Sequence, residues 1–598
     1  MKIATRFILV FILGMAFYIA AILLQQKLPA NDDAYNLERS YFTADKFDRE
    51  SIPVLQQINA LYWARSFRPN LLNPVGIVLM AATDGDFKIS QLILTISEFV
   101  FFALALFYLF SKSSGSMTGA WQAGIILFTP WVFHGMTIFS SEGMGLVFFA
   151  WSIAFIFQVD FRNFESKSNR QYLVLSSIMA GLMIASKPVE GFLIFLPLLS
   201  FLALTSVDLK KVGWTALALL GSLLFPILYC YFIFKNQTTP ENASTLLWGL
   251  SLLGLTGLCV LFCFFFRFLI PSFLLIMPCA FLSYFWFGPF SFGTLKWILD
   301  ASIGTVARDT GGRGDLTAFT FLLYAFNSIF GYIMSGFLIW YSLFRKAWKK
   351  HDFIFLFCFL VPLLAGALSY NSDLRYYMFT GLGIILIIFA GAQRSPRQWL
   401  KKMGIVENIV FLALMISLLY HTASIFQFWQ PLALMNKPGY GLWPNSVSFE
   451  KDITYERLKN LKENFNFNEP QNFCLIQMTS SAVDFHIDPW ISTILLKKAG
   501  YKTRIIRPVP HNLSTMEDRF NQRVKDICCY VAVFPLVYEH SVPAHSLTDV
   551  GEWFLALHEQ NNMAAVGFQL DRKLNLAPHT PTFDMLIFKN SRRTACLN

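Results

Sequence analysis

Residues 7–35 read FILVFILGMAFYIAAILLQQKLPANDDAY: an uncharged, largely apolar run from Phe7 to Leu24 and, a few positions on, the acidic pair Asp32-Asp33. A helix of that run covers the roughly 30 Å of a bilayer's hydrocarbon at about 1.5 Å per residue. Lys2 and Arg6 precede it, and Leu28-Pro29-Ala30 makes a poor cleavage site. The segment therefore reads as a retained signal anchor with its amino end in the cytosol. Charge just beyond such a helix is costly unless it faces water, so the acids are either solvated loop or the polar centre of a site at the bilayer surface.

Composition carries the same message outward. Of 598 residues, 55% are hydrophobic and 14% charged, against about 25% charged in soluble domains. The formal charge of +11 would suggest nucleic acid in a soluble chain. Here Lys and Arg cluster in short loops between apolar spans, which is what orients a membrane protein, so no nucleic-acid partner is expected. Cys230, Cys259, Cys263, Cys279 and Cys358 lie in apolar stretches and read as core residues, whereas Cys474, Cys528, Cys529 and Cys596 lie in the tail, where an oxidising compartment would permit a disulfide.

Membrane-length windows fall at about 7–24, 90–110, 119–139, 143–158, 172–186, 188–205, 212–233, 245–266, 268–287, 317–343, 352–370, 376–392 and 406–426. The expected fold is a membrane all-α bundle of about thirteen transmembrane helices over residues 1–430, followed by a soluble α/β domain over 431–598. With the amino end inside, the cytoplasmic loops contain Lys112, Arg162, Lys167, Arg170, Lys210, Lys211, Arg267, Arg345, Lys346, Lys349, Lys350, Arg394, Arg397, Lys401 and Lys402. This obeys the positive-inside rule and leaves the tail outside. Two outer loops are longer. Loop 25–89 includes an apolar patch, Leu71 to Ala82, too short to span and suited to an interfacial or re-entrant element; loop 288–316 is Gly-rich and charged. In the tail, runs at 473–478, 503–507, 527–535 and 583–588 read as strands, with helical stretches near 450–464, 489–499, 515–525 and 548–562.

The outer ends of the spans collect Asp32 and Asp33, Arg68-Pro69, Ser140-Ser141-Glu142, Lys187-Pro188 and Asp373-Leu374-Arg375-Tyr376-Tyr377, all on one side of the membrane. A transferase using a lipid-phosphate donor needs a carboxylate there to take the acceptor's proton and fixed positive charge to hold the departing phosphate. Bland readings stand beside these. Lys187 also reads as a snorkelling anchor, Arg375 as a turn partner of Asp373, and Glu142 as the cap of the next span. His134 has no partner at metal-ligand spacing and reads as an interfacial histidine.

In order and side, the segments DDAY, RPNLLNP, SSEGM, AGLMIASKPVEGFLIFLPLL and SDLRYYMF resemble the GT-C class of polytopic glycosyltransferases, nearest the branch of protein O-mannosyltransferases and lipid A aminoarabinose transferases, over residues 1–430. The resemblance implies that Asp32 is the catalytic base, with Asp33 beside it where many relatives have Glu. It also implies that Lys187 and Arg375, with Tyr376, bind the lipid-linked phosphate. Arg68 and Glu142 are further candidates for substrate contact; Arg68-Pro69-Asn70 lacks the second Pro common in relatives, which leaves acceptor recognition open. The implied activity is inverting transfer of a sugar from a polyprenyl-phosphate donor to a periplasmic lipid, glycan or protein acceptor, in a bacterial cytoplasmic membrane. Relatives differ in their use of a divalent ion, and no ligand cluster in the sequence requires one. The rival expectation is a transporter or flippase of lipid-linked sugars, which would place ionisable groups near the midplane.

Overall fold

The structure, a computed structural model, describes residues 2–25, 31–49, 71–114, 123–124, 126–128, 130–159, 166–187, 472–476, 502–506, 528–533, 560–575 and 584–591, with isolated positions among 274–386 and 494–558. The spans read from the sequence beyond residue 188, and loop 288–316, lie outside the described residues apart from such isolated positions. The chain divides into two compact units: residues 1–24 with 47–447, and residues 25–46 with 448–598.

In the first unit the described helices are α1 (Lys2–Leu24), α3 (Leu72–Ala82), α4 (Phe87–Ser114), α5 (Pro130–Thr137), α6 (Ser141–Ile156) and α7 (Lys167–Ser186). Within α1 and α4, Phe7–Leu24 and Phe87–Phe110 are long and apolar enough to cross a membrane. Their exposed faces are correspondingly oily: Ile8, Leu9, Ile12 and Leu13 on α1, Ile89, Ile93, Phe101 and Leu104 on α4. The short apolar patch is helix α3, and it turns into α4 through Asp84 and Gly85, both at positive φ (51° and 70°). Gly85 adopts that conformation without the Cβ clash other residues meet. Lys88 Nζ donates to Leu23 O, so α4 starts beside the carboxyl end of α1.

Packing between α1 and α4 depends on close fit, because lipid tails are as apolar as the side chains they would replace. Gly14 lies against the Phe99 ring. Rings then pack on either side of that contact: Phe11 on Phe99 at 5.5 Å between centroids, Tyr18 on Phe99 at 4.9 Å and on Phe133 at 5.0 Å. The one polar atom Tyr18 brings inside donates to Leu127 O at 2.6 Å.

Helices α6 and α7 form an antiparallel pair locked by serines. Ser152 Oγ donates to Ser176 O at 3.0 Å and Ser176 Oγ to Ser152 O at 2.9 Å. Small residues let the backbones approach closely enough for these reciprocal bonds. Along α4, Gln91 Nε2 donates to Thr137 O and, one turn on, Thr95 Oγ1 donates to Met136 O at 2.7 Å. The end of α5 is thus pinned to the flank of α4 just ahead of the start of α6.

The second unit contains helix α2 (Asn31–Arg49) as far as Lys46, and a five-stranded sheet in the order β2-β1-β3-β5-β4. Its strands are β1 (Asn472–Ile476), β2 (Lys502–Ile506), β3 (Tyr530–Val533), β4 (Phe568–Asn575) and β5 (Asp584–Asn590), with the one-turn helix α8 (Met563–Val566) leading into β4. β1 runs parallel to β2 and β3, while β5 is antiparallel to both β3 and β4. Cys528 and Cys529, at the entrance to β3, are disulfide-bonded. Lys497 ties α2 to this unit, pairing with Asp45 at 2.5 Å and lying 4.2 Å from the Phe42 ring centroid. The sequence reading put Asp32 and Asp33 in an outer loop; their backbone stands instead in the first turn of α2.

Candidate functional site

The site in the first unit is built where α6 begins and α7 ends. Ser140 caps α6 in an extended conformation, its side chain accepting from the Glu142 amide at 3.3 Å. The cap is therefore the serine, which leaves the Glu142 carboxylate for another task. At the far end of α7, Pro188 disfavours a helical conformation for the residue before it. Lys187 accordingly leaves the helix at φ −136°, ψ 85°, while its amide still donates to Met183 O at 2.7 Å.

The serine lock sets the level at which these ends meet. Counting back from Ser152 to Glu142 and forward from Ser176 to Lys187 gives near-equal rises of about 15 Å along antiparallel axes. Lys187 Nζ indeed donates to Glu142 Oε1 at 2.5 Å, with side-chain exposures of 17% and 6%. A charge-assisted pair this shielded gains more Coulomb energy than a surface ion pair, and the desolvation of both groups offsets much of the gain.

Two glycines make the room. A Cβ at Gly145 would stand 2.9 Å from the Phe379 ring and 3.4 Å from Lys187 Cγ. Phe379 is fully buried and edge-on to Phe149 at 6.2 Å. It is the last residue of the SDLRYYMF segment, and it packs at the same glycine as the Lys187 stem. A Cβ at Gly143 would overlap the carboxylate of Glu98. Glu98 belongs to α4, 4% exposed, with neither oxygen hydrogen-bonded among the described residues. It lies within electrostatic reach of Glu142 and of the Met144 amide in the first turn of α6.

Glu98 was not among the residues singled out from the sequence. It stands eleven residues into α4, about 16 Å along the axis from the end that lies beside Leu23. The Glu142–Lys187 pair is therefore recessed along α4, not level with its end as a surface loop would be. The start of α3 joins the same place, since the Leu71 amide donates to Ala185 O at 3.0 Å. Arg68, three residues earlier, lies outside the described residues, as do Arg375 and Tyr376. Asp32 and Asp33 are placed by their backbone in α2 of the second unit. Among the described residues no group of three His, Cys, Asp or Glu could hold a metal ion.

Neither a known family profile nor a curated protein sequence matches the chain. Among solved structures, the chain is similar to the archaeal oligosaccharyltransferase AglB from Archaeoglobus fulgidus in complex with an inhibitory peptide and a dolichol-phosphate. The identity is 12% and the TM-score 0.42, over 88% of this chain and 69% of that one. A second similar structure is the Archaeoglobus fulgidus oligosaccharyltransferase tethered to an acceptor peptide containing the NVT sequon, at 12% identity and a TM-score of 0.40 over 88% and 68%.

Proposed function

We propose that the chain is a membrane-embedded inverting glycosyltransferase of the GT-C class that moves a sugar from a polyprenyl-phosphate donor to an extracytoplasmic lipid, glycan or protein acceptor. The observation that carries this reading is the buried Glu142–Lys187 pair beside Phe379. It joins three separate segments of the ordered motif set, and a lysine held at the end of a helix in apolar surroundings is a ready counter-charge for a lipid-borne phosphate. In the mechanism, Asp32 takes the proton from the acceptor as it attacks the anomeric carbon, with Asp33 its acidic neighbour. Lys187 and Arg375 neutralise the departing phosphate, and Tyr376, Arg68 and Glu142 complete the substrate contacts. The disulfide-bonded cysteines of the second unit support an oxidising compartment for it, the periplasm of a bacterial inner-membrane protein.

The test is transfer from a polyprenyl-phosphate sugar in purified, detergent-solubilised protein. Asp32→Asn is expected to abolish transfer while donor binding survives. A wild-type rate in that variant refutes the base assignment. The second reading, a flippase for lipid-linked sugars, is favoured by the position of Glu98 part-way along a span. Movement of a fluorescent lipid-linked sugar across reconstituted vesicles, without any transfer, would select it.

A further inference from the structure

Helix α2 follows α1 in sequence but packs with the tail. Residues 1–24 and 47 onward belong to the first unit, whereas residues 25–46 group with 448–598. A polar helix of this length is marginal without tertiary contacts, and the buried positions Leu37, Ser40 and Ala44 supply little apolar area. Tyr41, Phe42 and Asp45 are neighbours at one end of the helix, by the i, i+3 and i, i+4 spacings to Asp45. All three meet one cation. Lys497, 452 positions from Asp45, donates to its Oδ2 at 2.5 Å and stands over the Phe42 ring at 4.2 Å and the Tyr41 ring at 5.7 Å. Both charged groups are largely shielded from solvent, so salt screens the pair less than a surface one, and the rings add cation–π attraction.

We infer that Lys497 is a positioning residue for the reaction: by tying the Tyr41–Asp45 end of α2 to the tail's unit, it fixes where the acid-bearing first turn of that helix stands. This rests on the reading of Asp32 as the base. Asp32 and Asp45 are thirteen residues apart on one helix, about 20 Å along its axis. A swing of about 3° about the anchored end therefore moves the Asp32 backbone by about 1 Å. A misplacement of that size is enough to cost on the order of a hundredfold in rate. On this account the tail contributes the placement of α2 to catalysis, not a reacting group.

The experiment uses the full-length protein in detergent and reads three quantities: transfer rate at saturating polyprenyl-phosphate sugar, binding of polyprenyl phosphate alone, and hydrogen exchange over residues 31–46. Lys497→Met keeps the stem and removes the charge. It is expected to lower the rate about tenfold or more, to speed exchange in α2 about tenfold, and to leave polyprenyl-phosphate binding, which the mechanism assigns to Lys187 and Arg375, at the wild-type level. Lys497→Arg keeps a cation able to pair with Asp45 and stack on Phe42, and is expected to hold the rate within about threefold of wild type. Asp45→Asn is expected to act in the same direction as Lys497→Met, with the double variant less than additive. An unchanged rate, unchanged exchange in α2 or lost polyprenyl-phosphate binding in Lys497→Met each overturns the proposal, as does an equal loss in Lys497→Arg. Asp32→Asn separates the underlying reading: if that variant transfers at the wild-type rate, the base assignment falls and the catalytic meaning of the anchor with it, while the exchange measurement still decides whether Lys497 holds α2. If Asp32→Asn is inactive and Lys497→Met fully active, only the role of Lys497 falls.

Discussion

Breaking the Glu142–Lys187 pair from its two sides should destabilise the helix ends unequally, and the inequality is a test of the pair and its burial. Removing one partner of a buried ion pair costs about 3–5 kcal/mol. Lys187 keeps 17% of its side-chain surface exposed and Glu142 6%, so the lower end, about 3 kcal/mol, is the appropriate figure for Lys187→Met. That variant leaves the Glu142 carboxylate, the more buried of the two groups, without the Lys187 ammonium. Glu142→Gln instead leaves the ammonium, the more exposed of the two groups, beside an amide oxygen that can still accept from it, and should cost only about 1–2 kcal/mol. The double variant replaces both charges by groups of similar shape and should cost about 1 kcal/mol, giving a coupling of roughly 3 kcal/mol across the cycle. Hydrogen exchange read by mass spectrometry on peptides covering the first turn of α6 and the last of α7 converts these costs into opening rates. Lys187→Met should exchange about a hundredfold faster there, with peptides from the middle of α1 unchanged. Equal effects of the two single variants, adding in the double, would refute the pair.

Two further perturbations probe the rest of the fold. A methyl group at Gly14 would stand 2.7 Å from the fully buried Phe99 ring, so Gly14→Ala should lower the thermal midpoint in detergent by the equivalent of about 1–3 kcal/mol; an unchanged midpoint would show that α1 does not pack on α4 through this glycine. Burial, and then the charge of Asp571, push the Tyr530 hydroxyl above its usual 10.0, with Arg572 acting in the opposite sense. The unfolded chain then loses this proton first, so stability is unaffected below about pH 9 and falls as pH rises through 10 and above; thermal scans against pH should show a shallower alkaline decline in Tyr530→Phe.

Several parts of this structure were legible because their causes are local. The Phe7–Leu24 helix follows from an unbroken apolar run, the end of α7 from Lys187-Pro188, and the start of α6 from Ser140-Ser141-Glu142, although the sequence left open whether Glu142 was a substrate contact or the cap, which is Ser140. Strands β1, β2, β3 and β5 coincide with compact apolar runs, whereas β4, FQLDRKLN, is an edge strand whose exposed charges mask its alternation. Helix α2 was missed for a related reason. It is polar over most of its surface, and only the spacing of Leu37, Ser40 and Ala44, which are buried, betrays a packed face. Glu98 carried a signal of a different kind, since a lone acid inside an apolar window is itself evidence of function. Attention to the ends of spans passes over it.

The contact between Glu142 and Lys187 could not be read from spacing, because 45 residues and two helices separate them. It becomes derivable once a single cross-link is known. With Ser152 level with Ser176 in an antiparallel pair, ten residues back along one helix and eleven forward along the other reach the same height. A slip of one turn would move them apart by about 5.4 Å, more than a hydrogen bond can bridge. The serines therefore set the register on which the charged pair depends, although neither lies near it. Lys187 then needs only Pro188 to leave the helix and Gly145 to give its stem room. On this account the site's geometry is fixed by small residues, while the charged ones, which sequence reading finds first, occupy the positions those residues create.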